Sequence, residues 1–158
     1  VRAKRIYILG VRSSSFLAGY LNFYFHLIFE NVTLVQSAAG EIFDQMLRIG
    51  PGDVLLAIGF PRYSKLTMSA VHFARDRGAE VIAITDSKMS PLYTLSVASL
   101  LVHCEMISFV DSMAAPVSLL NALIVAVGKQ KSAETAETFA EMERVWSRYE
   151  IFGYEDDE

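Results

Sequence analysis

The chain is poor in the residues that most often announce chemistry. Its 158 residues include one cysteine, one tryptophan, three histidines and four prolines. A single thiol, Cys104, excludes a disulfide within the chain and a thiolate cage for a metal. Cys104 lies beside an apolar run, so it reads as a buried, inert thiol. Hydrophobic runs long enough for a membrane are also missing. The two most apolar stretches, Phe16 to Phe29 and Met113 to Val127, fall short of the ~20 residues that span a bilayer. The second is further interrupted by Pro116, Ser118 and Asn121. With no secretory leader in view, the expected location is cytoplasmic, away from any membrane. Basic clusters are absent too, and the net charge is −4, so this segment is not expected to grip nucleic acid itself.

What remains is a chain rich in core-forming residues, 53% hydrophobic. That composition fits one folded domain rather than a disordered segment. The domain is expected over residues 1–150. Residues 151–158 form an acidic tail, ending in Glu155-Asp156-Asp157-Glu158, that should fray into solvent. The sequence begins at Val1, without an initiator methionine, and enters a strand-like run almost at once. It is therefore expected to be a fragment of a longer protein.

Four short aliphatic runs lack polar alternation, as strands covered on both faces do. They are Arg5 to Leu9, Val32 to Val35, Val54 to Ile58 and Val81 to Ile84, with a weaker fifth at Ser99 to Val102. Helix-length segments separate them: Ser14 to Phe29, Gly40 to Ile49, Ser64 to Arg77 and a short one after Ser90-Pro91. Two longer helices follow, at about Ser112 to Val127 and Ala133 to Tyr149. The alternation predicts an α/β fold, a parallel sheet with helices on both faces. Punctuation agrees: Gly50-Pro51-Gly52-Asp53 is a turn, Gly78 follows a basic last helical turn, and Ser90-Pro91 opens a helix. The first helix is apolar nearly all round, and the last carries a stripe of Phe139, Met142, Trp146 and Tyr149. Both features predict a homo-oligomer, dimer or tetramer.

In an open parallel sheet, ligands bind beyond the carboxyl ends of the strands. The loop after the first strand, Gly10-Val11-Arg12-Ser13-Ser14-Ser15, offers three hydroxyls, a guanidinium and the free N–H groups of a helix start, a set that suits an anion such as phosphate. It is neither a dinucleotide fingerprint nor a Walker loop, and an ordinary helix cap with extra serines fits it equally well. The loop after the third strand, Gly59 to Thr67, repeats the theme. Ser64 is a natural N-cap, Thr67 can turn back to the same opening, and Arg62 and Lys65 add positive charge.

The order strand, Gly-x-x-Ser-Ser-Ser, strand, Ser-x-x-Thr helix, then Ile84-Thr85-Asp86 and Ser90-Pro91-Leu92, resembles the SIS (sugar isomerase) domain from about Lys4 to Val127. It is most similar to the SIS domains of RpiR-type transcriptional regulators. In those, a segment like Phe60-Pro61-Arg62-Tyr63-Ser64-Lys65-Leu66-Thr67 replaces the Ser-x-Ser-Gly-Glu-Thr loop of the isomerases. The resemblance implies a three-layer α/β/α domain with a five-stranded parallel sheet of flavodoxin-like order. It further implies a phosphorylated sugar held between the two serine-rich loops. Ser14 matches the family's first-loop serine, while Ser64 and Thr67 match the second-loop pair that takes phosphate oxygens. Ser13 and Ser15 flank the first, and Arg12, Arg62, Tyr63 and Lys65 complete the candidate set. The sequence departs from the isomerase pattern at Gly59 (usually serine), Lys65 (usually glycine) and Leu66 (usually glutamate). Lys65 or Arg62 can compensate for the lost hydroxyl.

Isomerisation of a sugar phosphate needs a base at the substrate and an acid for its oxygen. His26 and His72 fall inside helices, away from the strand ends. His103, Glu105 and Asp111 follow the fifth strand and Glu41 opens a helix, but no couple emerges, and carboxylates so placed are most often caps or solvated charges. The expected function is therefore ligand sensing by the effector domain of a regulator, without catalytic residues, cofactor or metal. In that family DNA is held by a helix-turn-helix domain that precedes the SIS domain and is not part of this sequence. The alternative is a stand-alone sugar-phosphate isomerase using Glu105 or His103.

Overall fold

The structure, a computed structural model, describes residues 3–36 and 41–152. Five strands form one all-parallel sheet: β1 (Ile6–Gly10), β2 (Val32–Val35), β3 (Val54–Ile58), β4 (Glu80–Thr85) and β5 (Ala98–Leu101). Their order is β2-β1-β3-β4-β5, the flavodoxin-like arrangement expected. The helices are α1 (Ser14–Ile28), α2 (Ile42–Gln45), α3 (Lys65–Asp76), α4 (Pro91–Leu95), α5 (Ala114–Gln130) and α6 (Ser132–Arg148). No helix among the described residues is long and apolar enough to cross a membrane.

Alternation along the strands builds a core on each face of the sheet. Ile6, Ile8, Leu56, Ile58 and Ile84 point to one face, where α1 and α5 supply Leu17, Leu21, Phe25 and Leu120. Tyr7, Leu9, Leu55, Ala57, Val81 and Ala83 point to the other, beneath Ile42, Ala70, Val71, Ala74 and Leu92 of α2, α3 and α4. This is why the strands read as unbroken aliphatic runs: both sides are covered. At the amino ends of the strands, Arg5 Nη2 pairs with the buried Asp53 carboxylate at 2.7 Å and ties β1 to the turn before β3. The ligand-facing end lies opposite.

The local signals fall where the sequence places them. Ser90 caps α4 by accepting the Leu92 N–H, with Pro91 in the first turn. Gly78 takes the left-handed conformation, φ 81°, that ends α3. Two elements differ from expectation. The helix expected over Gly40 to Ile49 is only the single turn of α2. After it the chain tightens into i→i−3 bonds, Leu47 N–H to Asp44 O and Ile49 N–H to Met46 O, which lets Ile42, Met46 and Ile49 all reach the core. Gly40 lies outside the described residues, as does the Glu155–Glu158 run of the expected tail. The second difference is an unexpected hairpin, β6 (Met106–Ile107) and β7 (Val110–Asp111), inserted between β5 and α5.

Candidate functional site

The chain order reverses between β1 and β3, which leave the sheet centre toward opposite edges. A cleft opens beyond their carboxyl ends at that switch point. It encloses about 380 Å³, within the range of small-molecule sites. The first wall is the β1–α1 loop and the second the β3–α3 loop. Asp111, from the end of β7, closes one side.

The first wall depends on a close approach. A Cβ on Gly10 would stand 2.2 Å from the Ser14 carbonyl oxygen, so only glycine lets the chain fold back into α1 at once. Arg12 then adopts a left-handed φ of 57°. No side chain caps α1. The Ser13 hydroxyl instead donates to Asp111 Oδ2 at 2.8 Å, and Ser15 bonds back to the Arg12 carbonyl. Ser14 is buried and faces the cleft, which leaves the first-turn N–H groups of α1 free of side-chain acceptors.

The second wall is built differently. Ser64 caps α3 by accepting the Leu66 N–H, and Thr67, 3% exposed, stands one turn in. Arg62 also has a left-handed φ, 66°, and carries its guanidinium to 4.0 Å from Asp111 Oδ1. The loop is pinned from behind. Tyr63 Oη donates to Asp86 Oδ1, whose neighbour Thr85 has Oγ1 3.2 Å from Asp86 Oδ1 and 2.7 Å from Ser90 Oγ. The α3 loop and the α4 loop are thus joined through one polar network. Burial raises the Tyr63 phenol above its ordinary value, and its bond to Asp86 adds to this. Burial pushes the Asp86 carboxyl up, but hydrogen bonds from Tyr63, its own backbone N–H, Thr85 and Ser87 outweigh it and leave it lowered.

Of the nine candidate residues, Arg12, Ser13, Ser14, Arg62, Ser64 and Thr67 line the cleft. Ser15, Tyr63 and Lys65 do not: Ser15 turns to its own loop, Tyr63 braces the loop from behind, and Lys65 is exposed on α3. Among the described residues the cleft is lined by one acid, Asp111, one of the carboxylates that by sequence could face a ligand but are more often caps or solvated charges. Its signal was concealed because a hairpin of two-residue strands leaves no periodic trace. His103 and Glu105 pair with each other at 2.8 Å, both largely exposed, and neither lines the cleft. His26 and His72 are exposed on α1 and α3.

A two-walled, hydroxyl- and arginine-lined cleft thus lies at the switch point of a flavodoxin-like sheet, the place where open α/β domains of this class bind small molecules. The family model of the SIS domain matches residues 1–126, and the chain belongs to that family. Its fold is similar to that of the RpiR transcription factor from Sphaerobacter thermophilus (sugar isomerase domain), with TM-score 0.84 and 20% identity, over 90% of this chain and 80% of that one. It is also similar to the Vibrio vulnificus NanR protein complexed with ManNAc-6P, with TM-score 0.78 and 21% identity. There the match covers 94% of this chain but 57% of that one. A third similar structure is a Methanococcus jannaschii protein for which a molecular function of 3-hexulose-6-phosphate isomerase is inferred, with TM-score 0.68 and 13% identity, over 87% and 77%. No curated protein sequence matches the chain.

Proposed function

We propose that this is the phosphosugar-binding effector domain of an RpiR-type transcriptional regulator, working as a homo-oligomer. The observation that carries the proposal is the pairing of two unlike helix starts across one cleft. Ser64 and Thr67 on α3 face Ser13 and Ser14 on α1, with Arg12 and Arg62 beside them. The hydroxyls and N–H groups donate to phosphate oxygens, and the guanidiniums neutralise charge. One of the similar structures was solved with ManNAc-6P bound, and the activity inferred for another acts on a hexulose phosphate. Both support a sugar phosphate as the ligand. Sensing rather than turnover is supported by the position of His103 and Glu105, which lie 2.8 Å from each other, largely exposed, outside the cleft.

Calorimetric titration with phosphorylated hexoses, pentoses and N-acetylhexosamines, followed by analysis of the recovered sugar, tests this. Binding with the sugar recovered unchanged is the expected result. Conversion of an aldose to a ketose phosphate would assign an isomerase instead, and Glu105→Gln would then report whether that carboxylate takes part.

A further inference from the structure

We propose that Asp111 is a specificity-determining residue of the cleft: its carboxylate accepts hydrogen bonds from sugar hydroxyls, while the Ser64–Thr67 end takes the phosphate. This rests on the phosphosugar reading above and adds to it the group that recognises the rest of the ligand.

A carboxylate is out of place in a site built only for an anion, because it repels phosphate and competes for the same donors. Asp111 nevertheless lines the cleft with two arginines and three serines, and its side chain is only 24% exposed. It is also held in place. Ser13 donates to Oδ2 at 2.8 Å, the β6–β7 ladder fixes its backbone, and the adjoining Ser112 N–H bonds the Glu105 carbonyl at 2.8 Å. The other oxygen, Oδ1, stands 4.0 Å from Arg62 Nη2, beyond hydrogen-bond length. An ionised carboxylate has about four acceptor sites, and the bond from Ser13 occupies one of them. The remaining lone pairs match what a sugar presents once its phosphate is fixed, namely hydroxyl donors on adjacent carbons. Inorganic phosphate held at the Ser64–Thr67 end carries only the P–OH groups on its own phosphorus and no carbon-borne hydroxyls that extend to Asp111, so Asp111 would separate the sugar phosphate from free phosphate.

The test compares wild type, Asp111→Asn and Asp111→Ala for affinity toward inorganic phosphate and toward the phosphorylated sugars named above. Unfolding midpoints check that each variant is folded. In Asp111→Ala the tightest sugar phosphate is expected to weaken about tenfold or more, the scale of one lost charge-assisted hydrogen bond. Inorganic phosphate is expected to hold constant or tighten. Asp111→Asn, which keeps one carbonyl oxygen, should fall between, and it carries the test if the alanine variant fails to fold. Equal tightening of sugar phosphate and phosphate would overturn the proposal and leave Asp111 a mere competitor for Ser13 and Arg62. An unchanged ratio of the two affinities would also overturn it. A wild type blind to every phosphorylated sugar would instead overturn the phosphosugar reading, and this inference with it.

Discussion

Single positions in the two ligand loops carry more constraint than their side-chain chemistry alone reveals. Gly10 abuts the backbone of Ser14, with room for no Cβ. Gly10→Ala must therefore push the first turn of α1 off β1, at a cost of about 1–3 kcal/mol or more, read as a lower urea midpoint; an unchanged midpoint would contradict the packing described. Gly59, where isomerases of this family usually carry serine, has the opposite character. A Cβ there would meet Leu92 Cδ1 at 2.7 Å, so a flexible side chain occupies the space a hydroxyl would need. Arg12 and Arg62 hold left-handed backbone at φ 57° and 66°, a conformation costly for residues other than glycine. Arg62→Gly should accordingly raise the unfolding midpoint, relieving on the order of 1 kcal/mol, while weakening binding of phosphorylated ligands. A lowered midpoint would show that Arg62 contributes more packing than strain. The residue types were legible in the sequence; the clash at Gly10, the φ values and the use of Leu92 were not, because each depends on the path of a neighbouring segment.

At the scale of elements, the strands and the caps Ser64 and Ser90 were readable because each is a local matter of periodicity or of one side chain meeting a nearby N–H. The contacts between loops were not readable. Tyr63, a candidate for direct ligand contact, does not line the cleft and reaches Asp86, 23 residues away. Asp111 reaches Ser13 across 98 residues from a hairpin too short to anticipate. The brace has a pH signature. Asp86 binds its proton less readily in the folded state, so its contribution is full above the ordinary aspartate value of about 3.9 and drains away as pH falls through the lower native value. The gap in unfolding midpoint between wild type and Asp86→Asn should be constant from about pH 7 to 5 and narrow below about pH 4. A gap independent of pH would remove Asp86 from the stability of this loop pair.

For the molecule as a whole, the alternation of strands and helices specifies a covered parallel sheet, and the strand order then places the cleft between β1 and β3. The outer face of the helical layer on one side is left apolar. Phe16 and Phe23 of α1 are 79% and 59% exposed, and Phe139 of α6 and Tyr149 just after it are 41% and 65% exposed. Among the described residues α6 buries none. Exposure on that scale is unusual for a monomer, and sedimentation should find a dimer or tetramer that Phe23→Glu shifts toward monomer. A wild type that sediments as a monomer at high concentration would contradict the oligomer.

On this proposal Ser64 and its loop hold the phosphate of a sugar phosphate. The decisive experiment is thermal unfolding of wild type and Ser64→Ala against phosphorylated sugars, the matching free sugars and inorganic phosphate. At ~100 times its dissociation constant a ligand adds about 2.7 kcal/mol of stability. The expected result is a rise in midpoint for one phosphorylated sugar, none for its free sugar, and loss of the rise in Ser64→Ala. A well-folded protein whose midpoint moves with none of them, or moves equally in Ser64→Ala, would contradict the assignment of this cleft.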